Sequence, residues 1–338
     1  MKSSEHIVAR AEVLRGGRIE SVHHAEISVV DKEENEILHT PETGLYTYLR
    51  SSAKPFQATV ILDTGTDKAF HLPDQWIALA CASHNGEAVH VRIVRKYLKR
   101  IGLDESALQC GSHVPLVYSV GGQKGAVKTE YSPVYHNCSG KHTGMLSVCR
   151  HLGEDTAAYL AFDHPVQKAI REKISKYSGE TTVPLALDGC TAPVFYVSVR
   201  GMARMYRHLA MGSDESLEKI RNIMTSNPYL IAGKGRFDTA LMERTHGKIV
   251  AKVGAEGVQG CAVRLPDGRR YGINIKVLDG NRRALVPLLI ETLVRLNVLT
   301  SEELKKLESF HHPVLTNHAG HRIGEIRPVI ESKTKTGA

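Results

Sequence analysis

Apolar and polar residues alternate over 8–14, a turn follows at Arg15-Gly16-Gly17-Arg18, and the alternation resumes over 19–30. A period of two broken by paired glycines predicts a β-hairpin, which continues past 31–35 toward a third strand at Ile37-Leu38. The stretch 45–49 leads into a helix predicted over 55–62, opened by Pro55 and stopped at Asp63-Thr64-Gly65. Helices follow over 76–81 and 87–101. The second has an apolar face of Val89, Ile93, Val94, Tyr97, Leu98 and Ile101, with Arg92, Arg95, Lys96 and Lys99 on a solvated face. Prolines and glycines interrupt 109–135, which reads as an extended loop region. Further helices are predicted after Met145 through His151, and over 165–176, 193–209 and 214–224, with a short strand over 183–187. Late in the chain 249–253, 259–265 and 270–277 alternate again, the last two joined at Pro266-Asp267-Gly268. Helices over 282–296 and 301–307 come next, the second opened by Thr300-Ser301-Glu302-Glu303, a capping-box pattern.

Strands first, helices in the middle and strands late predict an α/β fold. Its mainly antiparallel sheet is completed from both chain ends and flanked by helices. One catalytic domain over 1–330 is expected, with a polar, disordered tail over 331–338.

A length of 338 residues suffices for a sizeable core without covalent staples. The six cysteines have no short repeating spacing and no apolar leader opens the chain, which favours a reducing cytosol with thiols free or on a metal. No stretch has the uncharged apolar length that spans a bilayer, so no membrane is expected. The net charge of +8 permits a nucleic-acid partner, but the cations are dispersed, aromatics make up 6%, and no recognition pattern is present. No nucleic acid is expected.

Candidate chemistry gathers in three places. Arg50-Ser51-Ser52-Ala53-Lys54-Pro55 holds a Ser-x-x-Lys pattern that puts hydroxyl and amine on one face of a helical first turn. Such a pattern is common by chance, usually as a helix cap followed by a solvated lysine. Tyr135 through Met145 crowds His136, Cys138, Lys141 and His142 together, and Ser83 lies in the turn Ala82-Ser83-His84-Asn85-Gly86. Gly233-Lys234-Gly235-Arg236-Phe237 is not a phosphate loop, since the long glycine-spaced cradle and the Lys-Ser or Lys-Thr ending are missing.

Six stretches in order resemble the rhizobial-type, zinc-associated L-asparaginase II family: Arg50 to Pro55, Cys81 to Glu87, His136 to His142, Asp188-Gly189-Cys190, Gly254 to Val258 and Gly272 to Lys276. The resemblance implies a fold similar to serine β-lactamases and penicillin-binding proteins. In that wider group a Ser-x-x-Lys, a second serine with an asparagine two residues on, and a late strand lysine recur, matched here by Ser51/Lys54, Ser83/Asn85 and Lys276. The literal Lys335-Thr336-Gly337 is taken as accidental. The family resemblance implies two serine-lysine pairs from Ser51, Lys54, Ser83 and Lys276, and a Zn2+ ion on Cys138, Lys141 and Cys261. It also implies Arg50, His142 and Asp188 as substrate-binding or supporting residues, and a cytoplasmic homodimer. For Cys261 a buried strand cysteine is the competing reading. Cys190 is expected near the metal but is not counted as a ligand, and Cys81, Cys110 and Cys149 receive no role.

The implied reaction is hydrolysis of the side-chain amide of L-asparagine to L-aspartate and ammonia. Ser51 is favoured as nucleophile with Lys54 as base, and Ser83 near Lys276 as relay to the leaving ammonia; the opposite assignment stays open. Crowded cations would favour neutral amines and activity rising toward alkaline pH. Two alternatives stand beside it. One is a serine amidase or β-lactam-interacting hydrolase acting on another amide, and the other is a non-catalytic zinc scaffold.

Overall fold

The computed structural model describes residues 4–120 and 130–332. It divides into two compact units, one of Met1–Thr47, Val197–Met211 and Arg244–Ala338, the other of Tyr48–Tyr196 and Gly212–Glu243. The terminal Lys335-Thr336-Gly337 and part of the loop expected over 109–135 lie outside the described residues.

Eleven strands are present among the described residues: β1 Glu5–Arg15, β2 Arg18–Asp31, β3 Glu36–His39, β4 Tyr46–Tyr48, β5 Leu185–Leu187, β6 Pro193–Ser198, β7 Ile249–Gly254, β8 Val258–Arg264, β9 Arg270–Val277, β10 Val314–Thr316 and β11 Arg322–Ser332. In the first unit eight of them form a sheet in the order β10-β11-β1-β3-β2-β9-β8-β7. Its pairings are antiparallel except for the short parallel match of Glu5 and His6 to Leu38 and His39. The sheet is closed from both chain ends: Ile7 lies opposite Ser332, so pairing continues two residues past Ile330, where a disordered tail was expected to begin.

Because side chains alternate across a strand, the register assigns each residue to a face. Helix Val199–Met211 covers one face of β2, β8 and β9. Its approach is close enough that a Cβ on Gly272 would fall 2.0 Å from the Ala203 carbonyl oxygen, and one on Gly260 would fall 1.9 Å from the Tyr206 ring. These two glycines are therefore required by packing rather than by a turn.

The second unit is mainly helical: Lys54–Asp63, Asp74–Ala80, Ala88–Arg100, Ser139–Leu152, Pro165–Ser178 and Glu215–Ser226 pack together. Helix Lys54–Asp63 is buried along nearly its whole length, as its run of apolar residues requires. Gly140 lets the start of Ser139–Leu152 press against the end of Asp74–Ala80, since a Cβ there would sit 2.2 Å from the Leu79 carbonyl oxygen.

The helix expected over 193–209 begins six residues later. Pro193–Ser198 is a strand paired with β5, with Leu185 opposite Phe195, and the helix starts at Val199. The β-branched and aromatic side chains of Val194, Phe195, Tyr196 and Val197 favour a pleated neighbour over a helical turn.

Candidate active site

Within the helical unit, Arg50 adopts φ +50°, a left-handed backbone uncommon for a side chain of its size. The kink opens a single 3-10 turn, Arg50–Ala53, which runs into helix Lys54–Asp63 with Pro55 in its first turn. Ser51 is half-buried at the start of this turn, and its carbonyl accepts the Lys54 backbone N–H. Strained backbone held by surrounding contacts is a feature of functional sites. Here the contact is an ion pair, Arg50 Nε to Asp188 Oδ1 at 2.7 Å.

Lys54 is 1% exposed. Its amine donates to the Ala82 carbonyl at 2.6 Å and to Ser83 Oγ at 3.0 Å. The expected Ser51–Lys54 side-chain bond does not form; the lysine stem extends past its own turn and reaches the loop that follows helix Asp74–Ala80. The serine-lysine contact in this unit is therefore Lys54–Ser83. The Asn85 carboxamide, two residues on from Ser83, is fully buried and bonded to Glu87, Lys234 and Arg236.

Beside this pair lies a cluster of thiols and amines. Cys138 stands at the N-terminal edge of helix Ser139–Leu152, where unsatisfied N–H groups favour negative charge, and Lys141 follows on its first turn. The hairpin between β5 and β6 carries Asp188, Gly189 and Cys190 on a tight loop closed by Asp188 N to Ala192 O at 2.9 Å. Lys141 Nζ donates to Cys190 Sγ at 3.1 Å. A hydrogen bond from Cys190, against burial, and the charges of Lys54 and Lys141 push the Cys138 thiol well below its ordinary value. Burial alone would lower the Lys141 amine, but Cys190, Cys138 and Asp188 outweigh it and raise it. Burial likewise opposes ionisation of Asp188, and Lys141 and Arg50 hold its carboxyl below the usual range. His142 Nδ1 is bonded to the Tyr159 hydroxyl at 2.7 Å. Burial lowers this imidazole to about 4 against the pull of Cys190.

Two thiols and one amine gather here, but lysine lies outside the usual Cys, His and carboxylate ligands of a zinc-type cation. Among the described residues no group of three or more His, Cys, Asp or Glu side chains is arranged to hold an ion, so such a site depends on Lys141. The residues fit if Lys141 gives up its proton, and a cation that neutralises the two thiolates removes the attraction that holds it. Cys190, not counted as a ligand on sequence grounds, thus stands at the centre of the cluster. Its signal was available in Asp188-Gly189-Cys190, a short turn carrying both an acid and a thiol.

The two remaining expected residues, Lys276 and Cys261, lie in the sheet unit. Lys276 on β9 is opposite Val258, while Cys261 on β8 is opposite Ile273. Alternation places them on opposite faces of the sheet, so one cleft cannot receive both side chains. Lys276 shares the face of Gly260, which packs on Tyr206, and its amine donates to the Glu256 carbonyl. Cys261 is fully buried on the other face. A third residue on the Lys276 face escaped notice: Lys252, fully buried on edge strand β7 opposite Gly260. Its amine donates to the Val253 carbonyl at 2.8 Å.

No curated protein matches this chain in sequence. Among solved structures it is similar to a β-lactamase from Burkholderia ambifaria at 14% identity and TM-score 0.36, covering 75% of this chain and 84% of that one. It is similar to the TLA-3 extended-spectrum β-lactamase at 13% identity and TM-score 0.39, covering 85% and 92%. It is also similar to PBP-A at 13% identity and TM-score 0.37, covering 77% and 84%. Among protein families, the L-asparaginase II profile matches residues 11–328, nearly the whole length. The chain belongs to the L-asparaginase II family, a family of L-asparaginase-type amidohydrolases.

Proposed function

We propose that this protein hydrolyses the side-chain amide of L-asparagine to L-aspartate and ammonia by serine-lysine catalysis. The observation that carries the reading is the bond from the buried Lys54 amine to Ser83 Oγ at 3.0 Å, one turn from the half-buried Ser51. In this scheme the Ser51 oxygen attacks the carboxamide carbon and its proton passes to the Lys54 amine. The C–N bond then breaks, the proton leaves with ammonia by way of Ser83, and water hydrolyses the ester to release aspartate and restore Ser51. The Lys54–Ser83 bond favours a second reading, in which Ser83 is the nucleophile.

A Zn2+ ion belongs to this proposal. Cys138, Lys141 and Cys190 would hold it beside His142, in place of the set that included Cys261. A bound cation there would supply positive charge for orienting a substrate carbonyl or carboxylate. Arg50, paired with Asp188, presents the other cation for the substrate's acidic end. We further infer a homodimer and a cytosolic setting; none of the six cysteines is in a disulfide, which supports a reducing compartment. Among the described residues no helix is long and apolar enough to cross a membrane.

The test is ammonia release from asparagine and glutamine, with intact-mass analysis of quenched reactions. Ammonia from asparagine and an aspartyl adduct that disappears in Ser51→Ala support the first reading. An adduct retained in Ser51→Ala and lost in Ser83→Ala selects the second. Penicillin labelling of a serine with no ammonia from asparagine would instead identify a β-lactam-interacting relative.

A further inference from the structure

The segment Pro228 to Arg236 has no place in the chemistry so far, yet it is bonded throughout to the loop that carries Ser83. Ser83 N donates to the Ile231 carbonyl at 2.9 Å and Asn85 N to the Ala232 carbonyl at 2.8 Å. Glu87 accepts the Lys234 backbone N–H at 3.0 Å, the Asn85 amide at 2.9 Å and the Tyr229 hydroxyl. Gly233 sits at φ +118°, where a Cβ would fall 2.5 Å from Glu87 Oε1 and 2.6 Å from Asn85 Nδ2, so only glycine closes this junction.

At the end of the segment, Arg236 is 6% exposed. One of its guanidinium nitrogens donates both to the Ser83 carbonyl at 3.3 Å and to Asn85 Oδ1 at 3.0 Å. We propose that Arg236 is a positioning residue for Ser83, fixing the serine's peptide plane so that its hydroxyl meets the Lys54 amine. The geometry supports this in two ways. The Ser83 carbonyl belongs to the residue whose side chain must be aimed, and Asn85 Oδ1 prevents the guanidinium from turning away. A planar guanidinium can hold two acceptors in fixed directions, which a lysine ammonium on a flexible stem does not reproduce. Small displacements of a reacting group weigh heavily on rate, on the order of 100-fold for about 1 Å.

This inference rests on Ser83 belonging to the catalytic machinery, and the experiment separates the two claims. Ammonia release from asparagine is measured for wild type, Arg236→Lys, Arg236→Ala and Ser83→Ala, with circular dichroism melts on the same samples. Arg236→Lys is expected to lower kcat by about 10- to 100-fold. Its KM should stay within about threefold of wild type, the pattern of an interaction felt in the transition state rather than in binding. Ethylguanidinium should restore part of the turnover of Arg236→Ala. Wild-type kcat in Arg236→Lys, an effect confined to KM, or failure of both arginine variants to fold would overturn the inference. Full turnover in Ser83→Ala would sink the reading beneath it, whereas an inactive Ser83→Ala beside an unchanged Arg236→Lys sinks the inference alone.

Discussion

Lys141 Nζ lies 3.1 Å from Cys190 Sγ, joining the first turn of a helix to a hairpin loop 49 residues along the chain. This contact, with Cys138 beside it, makes Cys190 the thiol whose loss should empty a metal site. Cys190→Ser is expected to lose most bound zinc on gel filtration, read by elemental analysis of the eluted protein. Cys261→Ser should retain it, because the proposed ligands are Cys138, Lys141 and Cys190. Zinc kept by Cys190→Ser and lost by Cys261→Ser would reverse the ligand assignment.

Lys54 is expected to tolerate replacement by methionine as a matter of packing but not of chemistry. The stem is buried and methionine matches its length, so Lys54→Met should fold and melt near the wild-type temperature. Removal of a positioned base typically costs about 100- to 10,000-fold in rate, and ammonia release should fall by that order. An active Lys54→Met would leave Ser83 without the partner on which the mechanism depends.

Lys252 and Lys276 share a sheet face, and each amine donates to a backbone carbonyl, Lys252 to Val253 at 2.8 Å and Lys276 to Glu256. Lys276 is the lysine expected to serve the chemistry, so Lys276→Met is expected to reduce kcat by at least about 100-fold, the scale of a lost acid or base. Lys252→Met should act mainly on stability. Parallel kinetics and thermal melts distinguish the two, and full turnover in a well-folded Lys276→Met would remove Lys276 from the catalytic role.

Acid should unfold the helical unit earlier than its carboxylates alone require. Burial pushes His84 well below its ordinary value, His90 to about 4 and His136 to about 3. These folded values lie below those of the unfolded chain, so the unfolded state binds more protons as pH falls beneath about 6.5. The stabilisation is complete above that pH and is lost progressively toward about 4, by up to about 1.4 kcal/mol per pH unit for each histidine. Urea midpoints measured from pH 7.5 to 4.5 should fall steadily, and His90→Gln should flatten the slope. A midpoint constant across that range would contradict the burial of these rings as neutral groups.

Much of this arrangement was legible in the sequence. Period-two alternation located the early and late strands, and Pro55, Pro165 and the capping box at Thr300 located helix starts, because those signals are local. Pro193–Ser198 was not legible as a strand, since its short apolar run suits a strand or a buried helix equally until the partner β5 is known. The site was legible as a set of motifs but not as pairs. Nothing in Ser51-x-x-Lys54 reveals that the amine passes its own turn to reach Ser83, because that depends on where the Asp74–Ala80 helix ends. Cys261 and Lys276 stand in adjacent strands of one hairpin, and only their register shows that they face apart. Cys190 gave the weakest signal of all, a lone thiol on a loop whose neighbours arrive from elsewhere in the chain.

The pairing of Ile7 with Ser332 has a consequence during synthesis. Ribosomes add about 5–20 residues per second, so β1 waits tens of seconds for β11 to be made. Throughout that interval the hairpin of β1 and β2 has one unclaimed edge, a template for association with another nascent chain. Chaperone demand should therefore concentrate on the interval before β11 emerges. Clipping the last strand should leave the product prone to aggregation even if its helical unit has already formed.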